Sequence, residues 1–330
     1  MRHLHLGRTG LAVSRLCLGT MTFGLQCDEA TSRAILDRAA AGGVTFLDTA
    51  DVYPVGGGFE TVGRTEEIVG RWLEGRRHDF VVATKCGGAM SARRWDRGAS
   101  RKHVLDAIDG SLRRLRTDYV DLYQLHHPDP ETPIDETLRA LDDVVRAGKA
   151  RYVGCSNFPA YQVARAIGRS EVLGIARFDS VQPRYNLLFR QIERDLLPLC
   201  REEGIGVIPY NPLAGGLLSG KHRRDAGPTP GTRFTLGSAA QRYQERYWHA
   251  SEFETVEALR PLAAEAGLSP TSLALAWVLA EPVVTAPIVG ASRPEQLDAA
   301  IAATEKPIDA ALKARLDELT LEYRRGDDPR

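Results

Sequence analysis

The 330-residue chain carries 43 basic and 43 acidic residues, and 43% of its residues are hydrophobic. Balanced charge gives no overall field to attract nucleic acid or an anionic membrane, so we expect a small-molecule partner, no nucleic acid and no membrane. Five scattered cysteines without a CxxC pair, and a start without an apolar signal segment, predict a cytoplasmic protein with free thiols rather than a disulfide framework or a zinc ribbon.

Short β-branched or aromatic runs alternate along the chain with amphipathic stretches about three turns long. In one such stretch Val104, Ile108 and Leu112 repeat at helical spacing, and Ser100 is placed to cap it. The predicted strands are residues 16–20, 45–49, 80–86, 119–126, 150–157, 178–183, 206–212 and 283–290. The helices predicted after them are residues 30–41, 64–74, 100–116, 133–149, 159–169, 192–204, 252–267 and 293–303. Eight such units predict a single α/β domain over residues 1–330, a closed (β/α)8 TIM barrel.

A doubly wound open sheet also alternates strands with helices, but it would carry GxGxxG after its first strand. The only glycine-rich tract, VGGGFETVG at residues 55–63, lacks that spacing. Residues 222–250 form a long predicted loop after the seventh strand, which is a lid candidate. The segment HLHLGRTGLAVS predicts an N-terminal hairpin that plugs the amino end of the barrel. An extra C-terminal helix at residues 308–323 is expected to pack outside.

Reactive side chains of such barrels collect at the carboxyl ends of the strands. A buried lysine on the third strand, Lys85, needs an anion, and Asp48 on the neighbouring strand supplies one. The Lys85 charge is expected to lower the pKa of Tyr53 and make it a proton donor. His126 supplies an imidazole for a substrate oxygen, whereas Asp51 acquires no role and is interpreted as a turn residue. The predicted strand-end set is Asp48, Tyr53, Lys85, His126, His127, Ser156, Asn157, Gln182 and Tyr210.

Seven segments of the chain together carry a family resemblance. They are FLDTADVY, VVATK, DLYQLHH, GCSNF, SVQPRYNLLFR, YNPLAGGLLSGK and IVGASRPEQL. In this order they resemble the aldo-keto reductases, and most closely the bacterial branch related to potassium-channel beta subunits. The resemblance extends over nearly the whole chain.

This resemblance implies an NADPH-dependent oxidoreductase, with NADH as the alternative cofactor, that reduces an aldehyde, ketone or sugar-derived carbonyl to an alcohol. Tyr53 would be the general acid tuned by Lys85 and Asp48, with His126 orienting the substrate and no metal. The implied cofactor residues are Thr20, Met21, Asp48, Ser156, Asn157, Gln182, Tyr210, Asn211, Pro212, Leu213, Ala214, Gly216, Lys221, Arg233, Gly290, Ser292, Arg293 and Gln296.

Two departures from the family pattern bear on cofactor affinity. Ala299 and Ala300 stand where the family often has Glu and Asn that bind adenine, which weakens the expected adenine contact and the NADPH preference. Asn211 replaces a common serine and keeps a polar side chain.

Each site residue, taken alone, has a structural alternative. These are a turn cap for Asp48, a solvent-reaching lysine for Lys85, a core, loop or metal-site histidine for His126, helix caps for Ser156 and Asn157, a core side chain for Tyr210 and a surface residue for Arg293.

Two functional classes remain open. The first is a carbonyl reductase. The second, from the same resemblance, is a cofactor-binding protein whose redox state is sensed by a partner, as in channel beta subunits. The full set of Asp48, Tyr53, Lys85 and His126 favours the enzyme, because a pure binding protein needs no tuned proton donor. The sequence leaves the oligomeric state open.

The loops that set substrate choice in a barrel are rich in aromatic residues here, which predicts a pocket for apolar or ring-shaped carbonyls. The aromatic residues are Phe23, Tyr53, Trp95, Tyr243, Tyr247 and Trp248.

Overall fold

A parallel eight-stranded sheet lies at the centre of the computed structural model, which describes residues 1–325. Its strands are β3 (Cys17–Gly19), β4 (Phe46–Asp48), β5 (Val81–Cys86), β6 (Val120–Leu125), β7 (Ala150–Ser156), β8 (Ser180–Gln182), β9 (Gly206–Val207) and β10 (Ile288–Val289). From β3 to β9, each strand pairs with the next strand in the sequence, and β10 pairs with β3. Parallel bridges from Val207 to Val284 and from Tyr210 to Ile288 close the ring. The predicted (β/α)8 barrel is confirmed.

Helices surround this sheet, and their termini follow local capping rules. Asp28 accepts a hydrogen bond from the Thr31 amide at 2.8 Å, and Ser100 caps its helix as predicted by accepting from the His103 amide. The helices are α1 (Glu29–Ala41), α2 (Arg64–Leu73), α3 (Arg101–Leu115), α4 (Ile134–Arg146), α5 (Ala160–Leu173), α6 (Leu196–Glu203), α7 (Ala240–Tyr247), α8 (Ala250–Glu265), α9 (Pro270–Leu279), α10 (Asp298–Ala303), α11 (Ala310–Leu319) and α12 (Glu322–Arg325).

Two helices, α7 and α9, fall outside the helices predicted from sequence. Helix α7 lies within the segment expected to be a loop, and α9 is almost uniformly apolar and buried, so it has no amphipathic period to detect. Within residues 1–325 no single helix is long and apolar enough to cross a membrane, although α8 and α9 pass that test as a pair bent by 87°.

Alternate residues of the barrel strands point into the barrel. Phe46 on β4, Ala83 on β5 and Leu122 on β6 belong to the core inside the barrel. Alternate residues of a strand share a face, so the side chains two positions further along point the same way. Those positions, Asp48, Lys85 and Gln124, therefore place polar groups inside the carboxyl end of the barrel.

The predicted N-terminal hairpin is formed by β1 (His3–His5) and β2 (Ala12–Ser14), which pair antiparallel. Leu6 and Val13 of this hairpin are fully buried and join the core inside the barrel. The Arg8 amide donates to the Gly204 carbonyl at 2.7 Å, just before β9 begins. The hairpin thus plugs the amino end of the barrel, opposite the strand-end polar groups.

The C-terminal helix α11 packs outside the barrel, as expected. The Trp277 indole of α9 donates to Asp317 at 2.8 Å, and buried Arg190 donates to the Asp317 carbonyl at 2.7 Å. The predicted single helix over 308–323 is instead two, because α11 ends at Leu319 and α12 begins at Glu322.

Gly7→Ala tests the seating of the hairpin. Gly7 has φ +56°, and an added Cβ would lie 2.4 Å from the Gly204 carbonyl oxygen. We expect the free energy of unfolding, measured by urea denaturation, to fall by about 2 kcal/mol or more. The matched control is Gly10→Ala, since no heavy atom lies within 4 Å of its Cβ position. Its stability should change by less than about 1 kcal/mol, and equal losses in both variants would contradict this seating.

Candidate active site

A buried ion pair lies beneath the carboxyl end of the barrel. Lys85 is fully buried, and its Nζ is 2.5 Å from Asp48 Oδ1 and 2.8 Å from the Thr49 carbonyl oxygen. Burial disfavours the ammonium, but the charge of Asp48 and the contact with Tyr53 outweigh it and raise the pKa of Lys85 above 10.5. The alternative that Lys85 reaches solvent is therefore wrong, and so is the alternative that Asp48 only caps a turn.

The second oxygen of Asp48 is held by two amides. Gln182 Nε2 donates to Oδ2 at 2.8 Å and Gln124 Nε2 donates to it at 3.2 Å. Gln124 is not among the residues predicted from sequence, although its spacing of two from Leu122 indicates that its side chain points into the barrel. These bonds fix the carboxylate that faces Lys85.

Tyr53 lies over this pair, with its hydroxyl 3.3 Å from Lys85 Nζ. Burial raises the pKa of Tyr53 above 10, and the opposing effect of the Lys85 charge is smaller. The expectation of a lowered pKa is therefore wrong for this structure, because removal of the phenol from water outweighs the nearby cation. Tyr53 is accordingly protonated at neutral pH.

His126 faces Tyr53, with 5.7 Å between the ring centroids, and stacks on His127 at 4.7 Å. Burial first, and then the charge of Lys85, hold the pKa of His126 well below 6.5. Its Nδ1 has no hydrogen-bond partner among residues 1–325. The imidazole is thus neutral at pH 7.

Ser156, Asn157 and Tyr210 form a connected group on the next strands. Asn157 Nδ2 donates to the His126 carbonyl at 2.9 Å, and the Tyr210 hydroxyl donates to Asn157 Oδ1 at 2.9 Å. The Ser156 hydroxyl donates to the Gln182 carbonyl at 2.9 Å. Neither Ser156 nor Asn157 caps α5, whose N-cap residue is Pro159. The helix-cap alternative is wrong.

Asp51 lies in a turn, as interpreted from sequence, but it is fully buried. Neither carboxyl oxygen has a hydrogen-bond partner in the described part of the chain. Burial, followed by the charge of Glu66, raises the pKa of Asp51 well above 3.8.

A cavity of about 520 Å³ opens above these groups at the carboxyl ends of the strands. Two of the predicted site residues do not line it. Lys85 lies beneath Tyr53, and Ala214 is buried in the core. The predicted residues that line the cavity are Thr20, Met21, Asp48, Tyr53, His126, Ser156, Asn157, Gln182, Tyr210, Asn211, Pro212, Leu213, Gly216, Lys221, Arg233, Gly290, Ser292, Arg293 and Gln296.

One side of the cavity gathers three cations. Burial, and then the charges of Arg293 and Arg233, lower the pKa of Lys221 below 10.5. Arg233 Nη1 is buried without a hydrogen-bond partner among residues 1–325. Such an unpaired guanidinium fits a phosphate oxygen.

The backbone after β9 forms a cradle beside these cations. Asn211 has φ +61°, and Gly215 and Gly216 have φ +70° and +101°. Asn211 Oδ1 accepts from the Gly215 amide at 2.6 Å, which fixes the turn. Ala299 lines the cavity whereas Ala300 is buried in the core, so of these two only Ala299 is placed to contact a bound molecule.

The expected aromatic pocket is only partly present. Of the six aromatic residues, Tyr53 and Tyr243 line the cavity. Tyr247 is buried, and Trp95 is 54% exposed. Arg233 of the lid was predicted, whereas Arg242 and Arg246 also line the cavity and were not predicted, because residues 222–250 were expected to form a loop without a helical face.

Comparison with known proteins agrees with this arrangement. The family model described as "Aldo/keto reductase family" matches residues 15–320. The chain belongs to the aldo/keto reductase family. It is 40% identical over 326 residues to the uncharacterized oxidoreductase YrpG of Bacillus subtilis (strain 168), covering 97% of this chain and 96% of the relative.

Two further relatives span most of the chain. "Probable voltage-gated potassium channel subunit beta" of Arabidopsis thaliana is 38% identical over 304 residues, or 90% of this chain and 89% of its own. "Protein tas" of Escherichia coli (strain K12) is 36% identical over 320 residues, which cover 90% of this chain and 91% of that protein. The predicted resemblance to this family and to the branch containing channel beta subunits is confirmed, and the family makes this chain an oxidoreductase.

His222, beside the cradle of this reductase, predicts a pH effect on stability. Its ring contacts Phe234 and Trp248, neither ring nitrogen has a partner in the described residues, and burial lowers its pKa to about 4. Between pH 6.5 and 4 the unfolded chain binds a proton that the folded chain does not, so stability falls as pH falls. The free energy of unfolding is measured by urea denaturation at pH 7 and at pH 4.5. Its decrease between these two pH values should be about 2 kcal/mol smaller in His222→Phe than in the wild type.

The control is His249→Phe, because His249 is exposed. This variant should keep the wild-type pH dependence. An unchanged pH dependence in His222→Phe would contradict the assignment.

Proposed function

We propose that this aldo/keto reductase transfers a hydride between NADPH and a carbonyl compound, with Tyr53 as the general acid. The observation that carries the proposal is the position of the Tyr53 hydroxyl. Tyr53 lines the cavity, and its hydroxyl lies 3.3 Å from the ammonium nitrogen of Lys85. NADPH, when bound, supplies the hydride.

Each catalytic group has a distinct task. Tyr53 holds its proton at neutral pH and releases it as negative charge develops on the carbonyl oxygen. The Lys85 ammonium then stabilises the phenolate, and Asp48 keeps that ammonium in place and charged. Neutral His126 orients the carbonyl oxygen by a hydrogen bond. Burial of the site makes each of these interactions stronger than it would be in water.

The cavity offers groups of suitable chemistry for each part of the cofactor. Lys221, Arg233 and Arg293 supply cations for its phosphates, and the open backbone at Gly216 allows close approach. Ser156, Asn157 and Gln182 are assigned to the carboxamide, and Tyr210 to the nicotinamide face.

A redox-sensing role for a partner protein is the second candidate, and the relatives named as channel beta subunits support it. The buried pair of Lys85 and Asp48 beneath Tyr53 favours catalysis, because cofactor binding alone gives no reason to keep it.

Tyr53→Phe tests the general acid. We expect turnover of an aldehyde to fall at least about 100-fold while fluorescence titration shows the same NADPH affinity, because only the transferable proton is deleted. Tyr243→Phe removes another phenol from the same cavity and should lose far less activity. Wild-type turnover in Tyr53→Phe would sink the mechanism, and failure of the wild type to bind either NADPH or NADH would sink the function.

Arg293→Gln tests the cofactor preference. If Arg293 binds the 2′-phosphate, the NADPH dissociation constant should rise about tenfold and that of NADH much less. Arg224→Gln removes a lid cation that does not line the cavity and should leave both constants at wild-type values. If Arg293→Gln weakened the binding of NADPH and NADH equally, Arg293 would not be the residue that binds the 2′-phosphate.

A further inference from the structure

Two arginines of α7 face the cavity that contains Tyr53. Arg242 and Arg246 are four residues apart, so they lie on one face of the helix, and both line the cavity. Arg242 is exposed at the mouth and Arg246 is half-buried. None of the roles assigned to the cofactor or to proton transfer uses either residue.

The side chains on which their charges act place Arg242 and Arg246 near the part of the cavity beside His126, where the proposed substrate carbonyl binds. This part of the cavity is called the carbonyl end. The Arg242 charge contributes to the lowered pKa values of both His126 and His127. The charge of Arg246 also contributes to the lowered pKa of His127, and it opposes the rise in the pKa of Tyr210 that burial causes. Both guanidinium groups are therefore close to the residues that surround the reacting carbonyl.

No carboxylate neutralises these two charges within residues 1–325. No ion pair joins Arg242 or Arg246 to an acidic side chain in that range. Glu245 of the same helix accepts from Gln241 at 2.7 Å instead. Of the acidic residues that line the cavity, Asp48 is paired with Lys85, and Glu295 lies in the turn after Arg293. The carbonyl end thus has an excess of positive charge.

The cofactor phosphates do not account for this excess. The charges of Arg293 and Arg233 both act on Lys221, so these three residues form the separate cationic group described above. Arg242 and Arg246 instead act on histidines of the strand ends. The cavity therefore has two cationic regions, and only one belongs to the cofactor.

We infer that the carbonyl substrate carries a carboxylate, which Arg242 and Arg246 bind while the carbonyl oxygen meets Tyr53 and His126. This inference rests on the proposed carbonyl reduction and adds a substrate class to it. Guanidinium groups recognise carboxylates through paired, charge-assisted hydrogen bonds, and a cationic mouth also attracts anions during encounter.

The test compares 4-carboxybenzaldehyde with methyl 4-formylbenzoate. The ester is the more electrophilic aldehyde, so preference for the acid reports binding rather than intrinsic reactivity. We expect wild-type kcat/KM to favour the acid by about tenfold or more, mainly through KM, and this preference to shrink at high salt. Arg242→Gln/Arg246→Gln should abolish the preference and Arg242→Lys should retain part of it. Arg224→Gln, which removes a lid cation outside the cavity, should keep the full preference.

A binding experiment distinguishes failure of this inference from failure of the proposed function. Calorimetry measures the affinity of 4-carboxybenzyl alcohol for the complex of enzyme with NADP⁺, which requires no turnover. Affinity that falls about tenfold in Arg242→Gln/Arg246→Gln supports the anion site even if neither aldehyde is reduced. Equal affinity in wild type and the double variant overturns it, as does equal wild-type kcat/KM for the two aldehydes. Loss of NADPH affinity in the double variant, with aldehyde preference retained, would also overturn it by assigning both arginines to the cofactor.

Discussion

The buried ion pair between Lys85 and Asp48 is the constraint on which the active site depends. Taking either charge out of water alone costs several kcal/mol, so each is tolerable only with the other and with further hydrogen bonds. The barrel supplies these bonds through the Thr49 carbonyl and through two glutamine amides on β6 and β8. The pair is therefore held by four neighbouring or facing strands rather than by one loop, which makes its position beneath Tyr53 a property of the whole sheet.

The two proton-bearing side chains above this pair are both kept neutral by burial. The same loss of solvent raises the pKa of the Tyr53 phenol and lowers the pKa of the His126 imidazole. A protonated phenol and an uncharged imidazole beside a fixed ammonium form a site suited to oxygen that becomes negative during reduction. In the proposed mechanism, the ammonium stabilises the phenolate that forms and does not ionise the resting phenol.

The lid adds what the barrel strands lack. Strand ends provide the ion pair, the phenol and the imidazole, whereas the segment after β9 provides the left-handed cradle and several cations. These cations are divided between a region that includes Lys221 and Arg233, which Arg293 joins from the turn after β10, and a region formed by α7. In the proposed function, the segment after β9 therefore contributes many of the groups that bind cofactor and substrate, while groups on the sheet transfer the proton.

The sequence by itself determined the eight strand–helix units, the N-terminal hairpin and the strand-end positions of Asp48, Tyr53 and Lys85, because these follow from local periodicity and the parallel barrel. It did not determine that α7 forms in the lid and turns Arg242 and Arg246 toward the cavity, or that Gln124 reaches Asp48. Nor did it determine the direction of the Tyr53 pKa shift. These properties depend on which surfaces meet and how much water they exclude, and only the tertiary structure decides both.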